Sequence, residues 1–544
     1  MKKYILQLVI VLLFSASCSE KNKTFSLSEV GILPRPVIMD LGKESFELSV
    51  TSIISVNNEE QQAAANYLRN SISEKTGFEL KIIKAGKTKS IVFVEEENLE
   101  KEGYQLYVTP EQISIKASHA VGYFYGVQSL LQLVSLETNE GSEEKKQWLI
   151  PSVRIKDSPR FNWRAYMLDE SRYFHGEVFV KRILDEMALL KMNVFHWHLI
   201  DDAGWRIEIK KYPKLTEIGS KRTDSEIGTW KSGKTASEPH EGFYTQKQIK
   251  DIVAYATERH IMVVPEFEMP GHSSAAIASY TWLGTAGVAI DVPVKFGRHY
   301  DNYDVTKPEV IQFIKDVLTE LFELFPSKVI HIGGDEVGYK VWENSKHVHE
   351  YMKEKGLKTP ADLQIAFTNH ISNFIEQKGR RMMGWNEIMG VNIHNGFEEK
   401  KNDKDAETTL AKNVVVHFWK GNLDLATQAA KKGYGIVNSL HSNTYLDYDY
   451  KNISLKKAYD FNPIPKGLEK KYHKNIYGLG CQMWSEWTPT YKDVEYQTFP
   501  RIAAYAEVGW TNLENKDFEL FKLSLKKVQT RWDALGINYA KVLK

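Results

Sequence analysis

The sequence predicts an α/β protein: a (β/α)₈ barrel preceded by a small α+β domain. Three observations predict it. From Arg160 onward, short apolar runs alternate with amphipathic helical segments, the rhythm of a parallel sheet. Eight such runs fit into residues 158–512, the length of a barrel with insertions. Carboxylates, histidines and tryptophans gather where each run ends. A doubly wound open sheet is the structural rival.

The elements follow in order. Lys2 and Lys3 precede an apolar run from Tyr4 to Phe14, too short to span a bilayer, and Ser15-Ala16-Ser17-Cys18 follows. Residues 1–18 read as an export signal of lipoprotein type, with Cys18 as the lipidated residue. This implies an exported, cell-envelope protein held to a membrane through its N-terminal lipid only. Ordinary signal cleavage with a spectator cysteine is the alternative. Residues 19–35 read as a polar tether.

Residues 36–157 read as the α+β domain. Phe46–Val56 and Ile91–Val94 are strand-like, Glu59–Thr76 is a helix closed by Gly77, Tyr104–Val108 and Ile113–Lys116 form a hairpin, and Gly122–Val134 is a helix. Glu137–Gln147 reads as a charged loop and Pro151–Pro159 as the join.

The barrel strands are expected at Trp163–Leu168, Asn193–Leu199, Ile261–Phe267, Lys328–Ile332, Arg381–Trp385, Val414–Trp419, Gly435–Ser439 and Tyr477–Trp484. Phe179, Ile183, Met187 and Leu190 share one face of the helix after the first strand. Thr245-x-x-Gln248 and Thr306-x-x-Glu309 read as capping boxes. Residues 513–544 carry a last helix packing on the barrel, with Phe518, Phe521, Leu525, Val528, Trp532 and Leu535 on one side.

Composition bounds the function. The formal net charge is +1, so no field of one sign exists to hold nucleic acid. Two cysteines exclude a disulfide scaffold and a cysteine-based metal site. Aromatic residues make up 12% of the chain, enough to build binding sites from rings.

In a barrel all strand ends meet on the face that carries active sites. Those ends hold Asp169, Ser171 and Arg172; His196, His198, Asp201 and Asp202; Glu266, Glu268 and His272; His331, Asp335 and Glu336; Trp385 and Glu387; His417 and Trp419; Tyr445 and Asp447; Trp484 and Glu486. Carboxylates among tryptophans suit a sugar, whose C–H faces pack on rings and whose hydroxyls need polar partners. Glycosidic cleavage needs a carboxylic acid near the leaving oxygen. Asp335-Glu336 is the candidate: two glycines before it leave room for a ring, and adjacent carboxylates push one pKa upward, as a general acid requires. A lone Asp-Glu pair would read as a solvated loop; facing seven similar ends, it does not. His196-x-His198 places two imidazoles on one strand face, which with Asp201 or Asp335 raises a metallohydrolase as a rival. No third histidine-rich end completes a ligand set, so no metal and no cofactor is expected. Trp148, Trp163 and Trp532 read as core, and Lys400–Glu407 as a solvated loop.

Several stretches together resemble the family 20 glycoside hydrolases, the β-N-acetylhexosaminidases: Arg164-Ala-Tyr-Met-Leu-Asp-Glu-Ser-Arg172, Asn193-Val-Phe-His-Trp-His-Leu-Ile-Asp-Asp202, Pro265-Glu-Phe-Glu-Met-Pro-Gly-His272, His331-Ile-Gly-Gly-Asp-Glu336, Gly384-Trp-Asn-Glu387, Tyr445-Leu-Asp447 and Trp484-Ser-Glu486. Gly103–Thr109 and Gly122–Gln128 resemble the family's N-terminal module. Ala165 stands where the family usually has glycine, and Tyr173 where it often has histidine.

The resemblance implies an exo-acting, retaining enzyme that removes terminal β-linked N-acetylhexosamine from glycans. It implies Glu336 as acid and then base, with the substrate's own acetamido carbonyl as nucleophile. Asp335 would hold the acetamido N–H and Tyr445 its oxygen. Trp385, Trp419 and Trp484 would wall the pocket, and Arg172, Asp447 and Glu486 would hold the other hydroxyls. Asp201 and His272 would tune Glu336. Independently, Asp335 and Glu336 should point apart if the strand stays extended, which leaves them poorly placed as an acid–nucleophile pair. A non-catalytic glycan-binding lipoprotein on the same fold is the alternative.

Overall fold

The computed structural model describes residues 26, 30–84, 90–138, 146–297, 299, 301–391 and 405–543. The expected export signal and Cys18 lie outside the described residues, as does Lys400–Glu407 up to position 404.

An eight-stranded sheet comes first. Its order in space is Ile38–Leu48, Lys146–Asp157, Tyr104–Val108, Gln112–Ala117, Ser90–Glu95, Ile53–Val56 and Lys81–Lys84, with Ser135–Thr138 also pairing Lys146–Asp157. Helices Glu59–Thr76 and Ala120–Leu133 pack against it and each other. Asn58 caps the first helix by accepting from the Gln61 N–H, and Gly77, with φ of 77°, closes it in the left-handed region that glycine tolerates.

Three expectations here need correction. Phe46–Val56 is not one strand: it breaks at a turn where the Ser52 N–H donates to the Ser49 carbonyl. Of the stretch read as a charged loop, residues 139–145 lie outside the described residues, while Glu137–Thr138 and Lys146–Gln147 are strand ends; the join read at Pro151–Pro159 is strand as far as Asp157, because Lys146–Asp157 pairs on both sides and Pro151 sits where the register shifts. The tether is shorter than 19–35. Val30, Ile32 and Leu33 are buried, the Leu33 N–H donates to Gln132, and the Arg35 N–H donates to Glu507.

The barrel closes. Its strands are Trp163–Asp169, Val194–His198, Met262–Glu266, Val329–His331, Arg381–Trp385, Val414–Phe418, Gly435–Asn438 and Ile476–Met483, each parallel to the next. The eighth returns to the first, with Cys481 opposite Tyr166, which disposes of the open-sheet rival. Trp163, Ala165, Val194, Val264, Met383, Val415 and Val437 fill the interior as one apolar cluster. Trp532 is buried and Trp148 half-buried, in keeping with core roles.

The helix Glu177–Leu189 buries Phe179, Ile183 and Met187 as its spacing predicts. Thr245 and Gln248 form the reciprocal capping box. The second proposed box is absent: Lys307 is the cap residue of Pro308–Leu324, and the Thr306 hydroxyl turns back to donate to Asp304. The last helix, Phe518–Ala534, buries Phe521, Leu525, Val528 and Trp532, and the Trp532 indole N–H donates to Glu186. Leu535 falls past the helix end and is exposed.

The two parts are joined by buried polar contacts. Asp157 accepts from Lys191 Nζ at 3.1 Å, from the Tyr104 hydroxyl at 2.7 Å and from the Trp510 indole at 3.0 Å. The buried Arg164 donates to Glu102 at 2.6 Å and to the Tyr125 hydroxyl at 3.0 Å.

Candidate active site

The turn after strand four sets the site. Strand four ends at His331, and the chain then passes through left-handed conformations at Gly333 (φ 65°), Gly334 (φ 92°) and Glu336 (φ 49°). The first two favour glycine; the third strains a glutamate, as functional sites often do. A Cβ on Gly333 would lie 1.7 Å from Glu268 Oε2, and the Gly334 N–H donates to Glu268 Oε1 at 2.8 Å. The glycines therefore make room for the Glu268 carboxyl and for Ile388, and not for a sugar ring. The expectation of an extended strand fails with them. Asp335 and Glu336 differ because the chain turns: Asp335 is buried, while Glu336 keeps partial exposure.

A line of contacts runs from strand one to Glu336. Arg172 meets Asp169 at 3.3 Å and Asp201 at 2.8 Å. Asp201 also meets His198 Nε2 at 3.0 Å. His272 Nδ1 lies 3.3 Å from Asp201 and 3.2 Å from Asp202, and His272 Nε2 lies 3.8 Å from Glu336 Oε2. Burial pushes Asp201 up, but the cations Arg172 and His272 hold it well below the usual carboxylate range. Burial opposes a charge on His272, and Asp201 and Asp202 overcome it, so the ring is held as an imidazolium beside Glu336.

The aromatic walls close the other side. Trp385 is fully buried, stacks on His417 at 4.1 Å and 18°, and donates its indole N–H to Glu266 at 2.8 Å. Trp419 donates to Glu387 at 2.9 Å and lies parallel to Tyr445, 6.0 Å and 11° apart. Trp484 stands 5.9 Å from Trp385, 6.1 Å from Tyr445 and 5.1 Å from the Arg172 guanidinium. Glu486 is 3.9 Å from Arg172. Arg172, Asp201, His272, Glu336, Trp385, Trp419, Tyr445, Trp484 and Glu486 thus fall on one connected constellation at the strand ends.

Several carboxyls here are held towards their neutral form. Burial, then Glu336 and Glu266, raises Asp335 to about 7. Within the Asp335-Glu336 pair, it is Asp335 that burial lifts. Burial and Asp335 push Glu268 and Glu387 well up, and burial and Glu486 push Asp447 up. Asp335 Oδ1 and Asp447 Oδ1 are buried with no hydrogen-bond partner among the described residues. Such atoms are costly unless a ligand meets them.

His196 and His198 both hydrogen-bond to Glu266 Oε2, at 2.8 and 2.6 Å. Burial lowers His196 to about 4, whereas Glu266 overrides burial at His198 and raises it to about 10. Among the described residues, the donor sets close enough for a metal are His196, His331 and His417; His198, Glu266 and Glu268; and Asp201, Asp202 and His272. Each set is already engaged in hydrogen bonds or ion pairs within the protein.

Sequence reasoning gave no role to Asp169, Asp202, Glu266, Glu268 or Glu387, although all stand at strand ends. The signal was there in the doubled acids Asp201-Asp202 and Glu266-x-Glu268.

Comparison with known proteins follows the same lines. The model described as "Glycosyl hydrolase family 20, catalytic domain" matches residues 161–513, and "Glycosyl hydrolase family 20, domain 2" matches residues 29–158. A beta-hexosaminidase of Porphyromonas gingivalis is 34% identical over 97% of this chain and 67% of its own. A beta-N-acetylhexosaminidase of Cellulomonas fimi is 28% identical over 94% of this chain and 96% of its own. The solved structure of an exo-β-N-acetylglucosaminidase from Vibrio harveyi, in complex with N-acetylglucosamine, superposes with a TM-score of 0.82 at 30% identity, covering 96% of this chain and 80% of that one. The β-N-acetylhexosaminidase from Streptomyces coelicolor superposes with a TM-score of 0.78 at 28% identity, covering 96% and 99%.

Proposed function

The chain belongs to glycosyl hydrolase family 20, and from that premise we propose how its residues carry out the reaction. The protein is an exo-acting β-N-acetylhexosaminidase, a glycoside hydrolase that removes terminal N-acetylhexosamine from glycans. Family 20 departs from the two-carboxylate scheme of most glycosidases, because the substrate supplies the nucleophile.

The acetamido carbonyl oxygen attacks the anomeric carbon as the bond to the leaving oxygen breaks. Glu336 gives its proton to that oxygen, and a cyclic oxazolinium forms. Glu336, now a carboxylate, takes a proton from water as the water attacks the same carbon, and retention results. Asp335 accepts the acetamido N–H and offsets the positive charge that develops. Tyr445 donates its hydroxyl to the acetamido oxygen and aims it. Trp385 forms the floor and Trp419 and Trp484 the walls. Arg172, Asp447 and Glu486 meet the remaining hydroxyls, and the Asp201–His272 pair presents positive charge to Glu336.

The observation that carries this reading is the pair of buried, unpartnered oxygens on Asp335 and Asp447, set against a box of indole and phenol rings. One oxygen suits the amide N–H, the other a ring hydroxyl.

The test varies the nucleophile. Along an acetyl, monofluoro-, difluoro- and trifluoroacetyl series of aryl β-glycosides, kcat/KM falls steeply, and the 2-hydroxy sugar is nearly inert. A flat response, with a glycosyl ester trapped on an enzyme carboxylate, overturns the mechanism. For location, we propose export and lipid anchoring at Cys18, supported by the charged, apolar and small-residue order of residues 2–18. Cys18→Ala then leaves the membrane fraction; unchanged fractionation counts against the anchor.

A further inference from the structure

The point from which the chain runs back towards Cys18 is fixed on the body. Ser26 is exposed, and the Val30 N–H donates to its carbonyl at 3.1 Å. The chain then crosses the last helix, Phe518–Ala534. A Cβ on Gly31 would fall 2.0 Å from Ser524 Oγ, so only glycine lets the two segments pass this closely. Ile32 and Leu33 are buried beyond it, and the Leu33 carbonyl accepts from Gln132 at 2.7 Å.

Seven residues separate Cys18 from Ser26. Fully extended, they reach no more than about 29 Å. A chain of this length folds to a body roughly 60 Å across. A bilayer that holds Cys18 is therefore kept beside the face from which Ser26 emerges, and the last helix lies on that face.

The outer side of this helix suits such a neighbour. Phe521, Ser524, Leu525, Val528 and Trp532 turn inward. Leu523, Lys526, Lys527 and Thr530, spaced three and four apart, turn to solvent, with Leu523 37% exposed. Between Leu520 and Trp532 the helix carries Lys522, Lys526, Lys527 and Arg531 and no carboxylate. The acids at its two ends are paired, Glu519 with Lys522 at 2.7 Å and Asp533 with Lys541 at 3.0 Å. Arg531 pairs with the buried Glu186 and still exposes 45% of its side chain.

Lys75 joins these cations from the first domain. Its Nζ donates to the Val134 carbonyl at 2.6 Å, and burial, then the nearby Arg531 and Lys527, lower it to about 8. Even with Glu74 exposed beside it, cations outnumber acids here, in a chain whose net charge is only +1. Crowded like charges gain from an anionic partner.

We propose that Lys526, Lys527, Arg531 and Lys75, together with the exposed Leu523, rest on the anionic headgroups of the phospholipid bilayer to which Cys18 is tethered. For the bilayer's position this rests on the export and anchoring reading. A lipid and a basic patch together are the two signals that stable attachment takes. The tether sets the distance, and the helix sets which way the enzyme faces.

The experiment uses the exported chain without its lipid, residues 19–544, sedimented at low salt with vesicles of phosphatidylcholine alone or mixed with phosphatidylglycerol. It should pellet with the mixed vesicles and not with phosphatidylcholine alone, and added salt should release it. A lysine beside an anionic bilayer is worth about fivefold in binding, so Lys526→Gln/Lys527→Gln should lower the partition coefficient about 25-fold. Lys526→Arg/Lys527→Arg should restore it. Cleavage of an aryl N-acetyl-β-hexosaminide by every variant should stay unchanged, which reports folding. No binding to the mixed vesicles, equal binding to both kinds, or undiminished binding by the glutamine variant overturns the membrane face. Self-association without vesicle binding, abolished by the same substitutions, gives the stripe to a second copy of the chain and overturns it too. Failure of the anchoring reading shows separately: Cys18→Ala would then stay in the membrane fraction through a high-salt wash.

Discussion

His272 Nε2 lies 3.8 Å from Glu336 Oε2, and the far side of the same ring meets Asp201 and Asp202 at 3.3 and 3.2 Å. The two aspartates hold the proton on the ring from its Nδ1 side, and the Nε2 side presents positive charge to the acid–base residue. Asp201→Asn weakens that arrangement at its anchor while leaving Glu336 in place. The expected result is a fall in kcat of about 10- to 100-fold, with a displaced pH–kcat profile. An unchanged profile with reduced kcat would mean that Asp201 only supports Arg172.

Glu336→Gln removes the proton and keeps the shape. General acid–base help is worth about 10²- to 10⁴-fold, and the loss should be of that order on a disaccharide with a poor leaving group. An activated aryl glycoside, which needs less protonation, should lose less in its first step. Equal kcat for variant and natural enzyme on the disaccharide removes Glu336 from this role.

Asp335→Asn should stabilise the folded protein at high pH while impairing catalysis. The folded carboxyl is raised to about 7, chiefly by burial, against about 3.9 in the unfolded chain. Between those values the folded state binds more protons than the unfolded state, so stability falls as pH rises through that window. The penalty is complete above about 7 and absent at pH values below about 4. The melting temperature of the variant should exceed that of the natural enzyme at pH 8 and match it at pH 4. A variant that melts lower at pH 8 would contradict the assignment.

Exhaustive chelation should leave turnover intact, because no step above places a metal on the substrate or on water. Loss of activity on EDTA treatment and its return with zinc would assign the reaction to one of the buried histidine and carboxylate sets instead.

The barrel was readable from the sequence because its strands are short, apolar and bounded by helices with one greasy face. Val414–Phe418 and Arg381–Trp385 stand where the pattern puts them. The N-terminal layer was harder. Lys81–Lys84, an edge strand with a lysine at each end, draws no assignment, and Lys146–Asp157, with its charges and a proline, divides between loop and join. At the site, side-chain identity located the constellation, but not its wiring. That Gly333 clears space for Glu268, and that Arg172 holds Asp201, depends on the left-handed turn and on residues far apart in the chain. No local pattern records such contacts.

The buried contacts of Lys191 and Arg164 with the first sheet bear on how such a chain can be inherited. A gene fragment beginning after Asp157 would encode every strand of the barrel, yet would strip Lys191 of its ion-pair partner Asp157 and Arg164 of Glu102. Removing one partner while the other charge stays covered costs about 3–5 kcal/mol, a large share of the roughly 5–15 kcal/mol that keeps a domain folded, and removing the whole sheet lays the surface around both cations open to water. Recombination at that seam is therefore selected against unless both positions change as well. The first sheet travels with the catalytic half as a hereditary companion, whether or not it ever touches a sugar.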